Sequence, residues 1–177
     1  MKIFVQTPRL TLRELQYSDD TGMFEMDSDP EVHKYLGTKP FTNIEQSRAQ
    51  IEFVRNQYKT NGIGRWAVTE TSSGTFLGWS GLKLVRDPVN SHILFYDVGY
   101  RFMRKHWGKG YATESAKAAI KYGFEVLHLK DIFGIVDIKN FVSKKVLEKA
   151  GLSWIETFEY EGEQTDWYQI ENTKQDL

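Results

Sequence analysis

Residues 104–115, RKHWGKGYATES, place two glycines and several cations immediately before a helix-forming run. The first amide N–H groups of a helix lack intrahelical acceptors and carry a partial positive charge, which suits an anion. Gly108 and Gly110 have no side chain that would keep a phosphate away. Three cationic side chains add positive charge: Arg104, Lys105 and Lys109. The segment therefore predicts a phosphate-binding turn, with a tight chain reversal carrying solvated lysines as the alternative. Its spacing matches neither a P-loop nor a dinucleotide fingerprint.

Composition excludes several classes of function. The 177 residues are 40% hydrophobic, which predicts one compact domain spanning 1–177. A formal net charge of -1 argues against nucleic-acid binding. The chain has no cysteine, which excludes thiolate metal ligands and fits a reducing compartment, so we expect a cytoplasmic protein. Its four histidines are scattered without metal-ligand spacing, and we expect no metal. We expect no signal peptide and no membrane span, because no apolar run in residues 1–177 approaches the required length.

The elements that position this turn follow from local patterns. Alternating apolar and polar residues predict seven strands: 9–15, 65–70, 75–85, 91–103, 131–138, and a closing hairpin of two strands around Gly162. Capping and stop signals predict helices over 18–26 and 30–36, from a Thr42–Glu45 capping box to Asn61, from Gly110 to Leu127, and from Asn140 to Gly151. Strand 91–103 is apolar on both faces, which places it centrally in the sheet. One mixed sheet covered by helices accounts for this order.

Three segments carry a resemblance to a known family. DVGYRFMRKHWGKGYATESAKAAIKYGF is similar to the acyl-CoA pyrophosphate motif of the GNAT N-acetyltransferases, whose core is Arg/Gln-x-x-Gly-x-Gly/Ala. Lys105, Gly108 and Gly110 occupy this pattern, with lysine at its first position. NFVSKKVLEKAGL resembles the family's Asn-x-x-Ser helix, and with TPRLTLREL it points to the RimJ/RimL-type branch.

The resemblance implies a fold and a co-substrate. The implied fold is α/β (α+β mixed), a mostly antiparallel sheet of six to seven strands with helices on both faces. This sheet is splayed between its fourth and fifth strands, 91–103 and 131–138, and acetyl-CoA lies in the split. The implied protein is a monomer or homodimer that uses acetyl-CoA and an amine acceptor, with no metal, nucleic-acid or membrane partner.

Residues that match the family's cofactor site can be carried over by position. Backbone groups of Val98 and Tyr100, on either side of Gly99, would pair with the pantetheine as an added strand does. Asn140 would hydrogen-bond the pantetheine or the acyl region. The pyrophosphate would bind the amides of Trp107, Gly108, Lys109, Gly110, Tyr111 and Ala112. The charged side chains of Arg104, Lys105 and Lys109 are candidates for the 3′-phosphate end.

Acetyl transfer needs a neutral amine and a proton for the departing thiolate. Asp97 matches the acidic residue that often precedes the family's Gly-Tyr, and strand alternation places it with Ile93, Phe95 and Gly99. Partial removal from water would make it a stronger base. The alternatives are an aspartate paired with a nearby cation, and water as the base.

The usual proton donor of the family is absent, because Leu147 stands where many relatives have a tyrosine. Ser143 is the remaining hydroxyl near the expected sulfur and matches the serine of the branch pattern. We expect it to hydrogen-bond the thiolate or to relay a proton from water. A capping hydroxyl within the helix is the alternative.

Carboxylates near the expected acceptor side suggest a cationic acceptor, or simply solubilising loops. They are Asp19, Asp20, Glu25, Asp27, Asp29 and Glu31, with Glu156, Glu159, Glu161, Glu163 and Asp166 in the closing hairpin. An α-amine, with a pKa of about 8, is neutral near pH 7 far more often than a lysine amine at about 10.4. An N-acetyltransferase for a protein N-terminal α-amine is therefore the first hypothesis. A transferase for a polyamine, amino acid or aminoglycoside, and a non-catalytic acyl-CoA sensor, remain open.

Overall fold

Eight strands and five helices make up residues 1–173, the part of the chain that the computed structural model describes. The strands are β1 Ile3–Gln6, β2 Leu10–Arg13, β3 Trp66–Glu70, β4 Phe76–Val85, β5 Phe95–Phe102, β6 Asp131–Asp137, β7 Ser153–Tyr160 and β8 Glu163–Glu171. The helices are α1 Asp20–Asp27, α2 Pro30–His33, α3 Ile44–Asn61, α4 Tyr111–Glu125 and α5 Phe141–Ala150. Short 3-10 turns precede α1 at Tyr17–Asp19 and α4 at Arg104–His106.

All strands form one sheet in the order β1-β2-β3-β4-β5-β6-β8-β7. Every neighbouring pair is antiparallel except β5 and β6, which are parallel and joined at the single pair Asp97–Phe133. A parallel pair needs a long crossover, and α4 supplies it. The predicted mixed, mostly antiparallel sheet with a split is therefore confirmed. The split lies between 91–103 and 131–138 as expected.

The predicted count of six to seven strands is wrong, because Ile3–Gln6 forms an additional edge strand. Its four residues are too few to give a reliable alternation on their own. Pairing with β2 supplies the hydrogen bonds that hold this segment extended. The split therefore follows the fifth strand of the chain rather than the fourth.

Strand 91–103 is also shorter than predicted. Asn90, Ser91 and Leu94 adopt positive φ angles of 47°, 63° and 53°, which an extended strand cannot contain. β5 therefore begins at Phe95, and Ile93 lies outside it with 62% of its surface exposed. The expectation that Ile93 shares a strand face with Asp97 is wrong.

Helix ends follow the local signals with two main differences: α2 ends at His33 rather than at the predicted residue 36, and the capping box of α3 is shifted. The capping box of α3 is formed by Asn43 and Gln46, one residue after the predicted Thr42–Glu45 pair. The Gln46 side chain accepts hydrogen bonds from the backbone amides of both Thr42 and Asn43, so one side chain satisfies two donors at the start of the helix. Gly62 ends α3 in the left-handed conformation, as predicted.

Three apolar clusters of residues 1–173 pack against the sheet: two lie under helices, and the third consists of Val89, Phe95, Phe133 and Trp167. On one face, α4 packs against β4 and β5, where it contacts inward-facing residues such as Leu82 and Val98. On the other face, α1 and α3 pack against the side that carries Ala67 and Trp79. Helices thus cover both faces, as predicted, and leave the β5–β6 split open between them. None of the helices in residues 1–173 has the length and apolar character needed to cross a bilayer.

Candidate functional site

A cleft of about 450 Å³ lies where β5 and β6 diverge, between β5, the start of α4 and one side of α5. It contains eight of the predicted site residues: Tyr100, Trp107, Gly108, Gly110, Tyr111, Ala112, Asn140 and Ser143. The segment of β5 from Asp97, where the strands meet, to Phe102, where β5 ends, is about 17 Å long in extended conformation. A larger surface groove, of about 660 Å³ between β1 and α4, contains none of the predicted site residues.

The turn at the wide end of the cleft has the backbone conformation of an anion site. Gly108 and Gly110 have φ angles of 73° and 79°, in the left-handed region that favours glycine. Gly110 is the N-cap residue of α4, and no side chain caps this helix. Within residues 1–173, the amides from Gly108 through Thr113 have no hydrogen-bond acceptor. The turn therefore presents a run of free donors to the cleft.

Arg9 holds this turn in place, which the sequence analysis missed. Its Nη1 donates to the carbonyl of Lys109 at 2.9 Å, and its guanidinium pairs with Glu114 in the first turn of α4 at 2.6 Å. The turn carbonyl is thereby directed toward Arg9, away from the donors that line the cleft. The two residues are 100 positions apart, so no local pattern connects them.

The cations of the turn are engaged elsewhere. Arg104 forms an ion pair with Asp29 at 3.0 Å, and Lys105 forms one with Glu25 at 2.5 Å. Lys109 takes part in none of the ion pairs formed within residues 1–173. A role for Arg104 or Lys105 at the 3′-phosphate would therefore require these pairs to open, and all three assignments remain predictions.

Two hydroxyl groups meet on the inner wall of the cleft. Tyr100 Oη donates to the Ser143 carbonyl at 2.8 Å and lies 3.0 Å from Ser143 Oγ. Burial raises the pKa of Tyr100 above its ordinary value, while the hydrogen bond with Ser143 opposes the rise. Tyr100 is thus a neutral hydroxyl donor near pH 7. Sequence reasoning assigned only its backbone, although its alternation with Val98 and Phe102 would have placed the side chain on this face.

Asn140 begins α5 as predicted. Its Oδ1 accepts a hydrogen bond from the Ser143 amide at 3.1 Å, which makes it the N-cap residue. The same residue lines the cleft, so capping and a contact to a cofactor are compatible. Its cofactor role remains a prediction.

Leu147 does not face the cleft. Its side chain is 2% exposed and lies against Gly134 of β6, where a Cβ atom would be 2.9 Å from Leu147 Cδ2. A tyrosine at this position would have to displace part of the core. The cleft therefore has no hydroxyl from position 147, and Tyr100 with Ser143 supplies the hydroxyls instead.

His106 is a second cleft residue that the sequence analysis missed. Its Nε2 is buried and has no hydrogen-bond partner within residues 1–173. Burial, followed by the charges of Lys109 and Lys105, lowers the pKa of His106 below its ordinary value. The imidazole is therefore neutral at pH 7, beside the turn with the free amides.

Val98 and Asp97 do not line the cleft; they lie on β5 where it meets β6, and their surroundings differ. The Val98 side chain is 3% exposed beneath α4, so only its backbone can face a ligand. Asp97 is buried and accepts a hydrogen bond from Arg65 Nη2 at 2.5 Å through Oδ2. Asp97 Oδ1 accepts none within residues 1–173. The predicted alternative, an aspartate paired with a cation, is therefore true of Oδ2. A role as base remains a prediction, and it would use Oδ1.

Most acidic groups of residues 18–31 form ion pairs, which neutralises that part of the predicted negative mouth, whereas Glu156, Glu159, Glu161 and Glu163 of the closing hairpin form none within residues 1–173. The pairs are Asp19–Arg13, Asp20–Arg48, Glu25–Lys105, Asp27–Arg101 and Asp29–Arg104. In the closing hairpin, Asp166 pairs with Lys144. The attraction of a cationic acceptor by this segment is therefore not supported, and the alternative of structural and solubilising charges fits better.

Sequence comparisons add independent findings. The family model described as Acetyltransferase (GNAT) domain matches residues 9–153. An uncharacterized N-acetyltransferase, p20, from Bacillus licheniformis is 33% identical over 151 residues, covering 82% of this chain and 83% of the relative. The FsC-acetyl coenzyme A-N(2)-transacetylase of Aspergillus fumigatus is 32% identical over 158 residues, covering 87% of this chain and 66% of the relative.

Solved structures agree with the fold. A GNAT-family acetyltransferase from Bacillus anthracis has a TM-score of 0.79 at 27% identity, covering 97% of this chain and 98% of that one. RimL, a ribosomal-protein α-N-acetyltransferase solved with coenzyme A, has a TM-score of 0.80 at 14% identity, covering 96% and 98%. At that identity the likeness to RimL concerns the fold alone.

Proposed function

Since the chain belongs to the acetyltransferase (GNAT) domain family, we propose that it transfers the acetyl group of acetyl-CoA directly to a primary amine. One observation carries this proposal. A single cleft has free backbone donors at its wide end and a Tyr100–Ser143 hydroxyl pair farther in. These are the groups needed to hold a pyrophosphate and to assist a departing thiolate.

The residues present fit acetyl-CoA. The free amides of 108–113 match a pyrophosphate, whose oxygens accept hydrogen bonds. Beyond Asp97 the edge of β5 is unpaired, so backbone groups of Val98 and Tyr100 are available to the pantetheine amides. When bound, acetyl-CoA supplies the acetyl group as a thioester.

In the proposed reaction, the amine nitrogen forms a C–N bond while the C–S bond of the thioester breaks. One proton leaves the nitrogen, and one is taken up by the sulfur. Ser143 Oγ and Tyr100 Oη stabilise the charge that develops on sulfur and donate or relay its proton, for which the Tyr100 hydroxyl turns its proton from the Ser143 carbonyl to the sulfur. Asp97 Oδ1 orients the amine and accepts its proton, directly or through water.

An α-amine is the proposed acceptor type, because it is neutral near pH 7 much more often than a lysine amine. The names of similar proteins mention both an α-N-protein acceptor, for RimL, and N(2)-transacetylation of FsC, for the Aspergillus fumigatus enzyme. Peptide N-termini and small amines therefore both belong in a first screen.

Thiol release from acetyl-CoA over a panel of amines tests the proposal. We expect release to depend on an amine and to fall strongly in a Tyr100→Phe, Ser143→Ala double variant. Binding of acetyl-CoA without release by any amine would instead indicate a non-catalytic acyl-CoA sensor with this fold.

A further inference from the structure

Three charged side chains lie together on the sheet face opposite α4: Arg65, Asp97 and Lys83. Lys83 on β4 is the direct cross-strand neighbour of Asp97 on β5. Arg65 is the residue before β3. Its side chain lies over Gly81 of β4 and Gly99 of β5, which are a cross-strand pair next to Lys83 and Asp97. Cβ atoms of directly opposed residues are about 5 Å apart, so Lys83 and Asp97 belong to one local charge group. Two positive charges and one negative charge therefore share this area.

Arg65 and Asp97 satisfy each other. Arg65 Nη2 donates to Asp97 Oδ2 at 2.5 Å, and Nη1 donates to the Asp97 carbonyl at 2.6 Å and to the Gly81 carbonyl. The guanidinium can lie this close only because Gly99 has no side chain: a Cβ atom there would be 2.5 Å from Nη2. The charge of Arg65 is therefore balanced within the protein.

Lys83 has no such partner. It is partly buried, and its ammonium forms no hydrogen bond or ion pair within residues 1–173. Burial lowers the pKa of Lys83 below its ordinary value, the nearby charge of Arg65 lowers it further, and Asp97 opposes both. A partly buried cation without a partner is costly, and an anionic ligand removes that cost.

The position of this unbalanced cation relates it to the reaction. β5 and β6 meet at Asp97–Phe133, and the cleft opens from there. A cofactor that extends along β5 from the Gly108–Gly110 turn would bring its reacting end toward this meeting point. Asp97 and Lys83 lie on the face opposite α4, which packs on the side of Val98 and Leu82; on their own face, α1 and α3 pack farther along, near Trp79, and the Phe95–Phe133–Trp167 cluster lies beside Asp97. An acceptor amine positioned by Asp97 would therefore have Lys83 beside it.

We propose that the acceptor carries a carboxylate close to its reacting amine, and that Lys83 binds this carboxylate. The inference rests on the proposed acetyltransferase function and narrows its acceptor. Two sources share this chemistry, a free amino acid and a peptide that begins with an acidic residue. Polyamines and aminoglycosides lack the anion and place additional positive charge against Lys83, so they are poor acceptors.

Matched acceptor pairs test the proposal. Each amino acid is compared with its carboxamide, and each peptide that begins with Asp or Glu is compared with one that begins with Asn or Gln. Thiol release gives kcat/KM for the unaltered protein, for Lys83→Met, and for the control Lys121→Met, which removes an exposed α4 charge paired only with Glu125. The preference of each protein is its kcat/KM for the carboxylate member of a pair divided by its kcat/KM for the neutral member. The two members differ in amine basicity, but this difference is the same for every protein, so it cancels when the preferences of two proteins are compared.

We expect Lys83→Met to reduce the preference for the carboxylate member of one pair by about ten- to a hundredfold, the range of a charge-assisted hydrogen bond. The loss should lie mainly in KM, activity on the carboxamide should be retained, and Lys121→Met should match the unaltered protein. The responding pair identifies an amino acid or a peptide.

Other results overturn the inference. An equal loss on both members of every pair would make Lys83 a base or a structural residue, and an unchanged preference would remove it from the acceptor site. Thiol release that shows no carboxylate preference leaves the acetyltransferase function standing without this inference. No release with any amine defeats both.

Discussion

At the residue scale, the proposed reaction gives the hydroxyl pair of Tyr100 and Ser143 the role of proton donor, since position 147 carries leucine. Ser143 alone is a poor acid in water, but here its Oγ lies 3.0 Å from a phenol hydroxyl. The two groups offer a short path for a proton or a pair of donors to the same sulfur.

We expect Ser143→Ala and Tyr100→Phe each to reduce kcat by about ten- to a hundredfold, because each removes a donor whose interaction strengthens as charge develops on sulfur. Acetyl-CoA affinity, measured by calorimetry, should change much less. If the groups act together, the double variant should lose little more than either single variant. Full activity in Ser143→Ala would mean that the proton comes from solvent.

The absence of a side chain at Gly99 makes room for the neighbouring Arg65 side chain rather than for a ligand. Arg65 lies against it, so Gly99→Ala must displace a guanidinium that makes three hydrogen bonds. We expect Gly99→Ala to lower the free energy of unfolding by about 1–3 kcal/mol, as overpacking does. Chemical denaturation measures this loss.

A double-mutant cycle provides the control for Gly99. In an Arg65→Ala background the additional Cβ meets no guanidinium, so Gly99→Ala should cost much less there. Additive losses would contradict the steric explanation and would attribute the effect of Gly99→Ala to the strand itself.

At the element scale, the turn before α4 combines a left-handed backbone with free donors. Gly108→Ala places a side chain at φ 73°, although nothing in the structure lies within 4 Å of the added Cβ. Gly62, which ends α3 at φ 70° in equally open space, is its matched control.

We expect both alanine variants to lose about 1 kcal/mol of stability from backbone strain. Only Gly108→Ala should also weaken acetyl-CoA binding, because relaxation of its backbone turns the amides away from the pyrophosphate. Isothermal titration of both variants measures the difference. Equal affinities would show that this turn does not bind the cofactor.

At the scale of the whole molecule, the split sheet leaves β5 and β6 joined at one residue pair. A ligand in the cleft contacts β5, α4 and α5 together, so it connects the two halves of the sheet. Saturating acetyl-CoA should therefore stabilise the folded chain by a few kcal/mol.

Thermal unfolding measures this effect. We expect acetyl-CoA to raise Tm by about 5–10 °C, given about 2–4 °C per kcal/mol for a chain of this size. Gly108→Asp should abolish the rise, because its carboxylate repels the pyrophosphate at the helix start. An unchanged Tm in the unaltered protein would argue against acetyl-CoA as the ligand.

The sequence by itself determined the features that depend on a few neighbouring residues. Asn140 and Gly151 delimit α5, and Gly108 with Gly110 forms the predicted turn, because caps and left-handed glycines are properties of local backbone. The motif around this turn also identified the family and the split sheet that acetyl-CoA binding requires.

Tertiary structure decided the partners. Arg65 reaches Asp97 over 32 positions, and Tyr100 reaches Ser143 over 43 positions. Sequence alternation gives the face on which a side chain lies, but the packing of strands and helices decides which charge or hydroxyl lies opposite. For this reason, the ion pairs of residues 18–31 and the Lys83 ammonium, which has no partner among residues 1–173, were visible only in the folded chain.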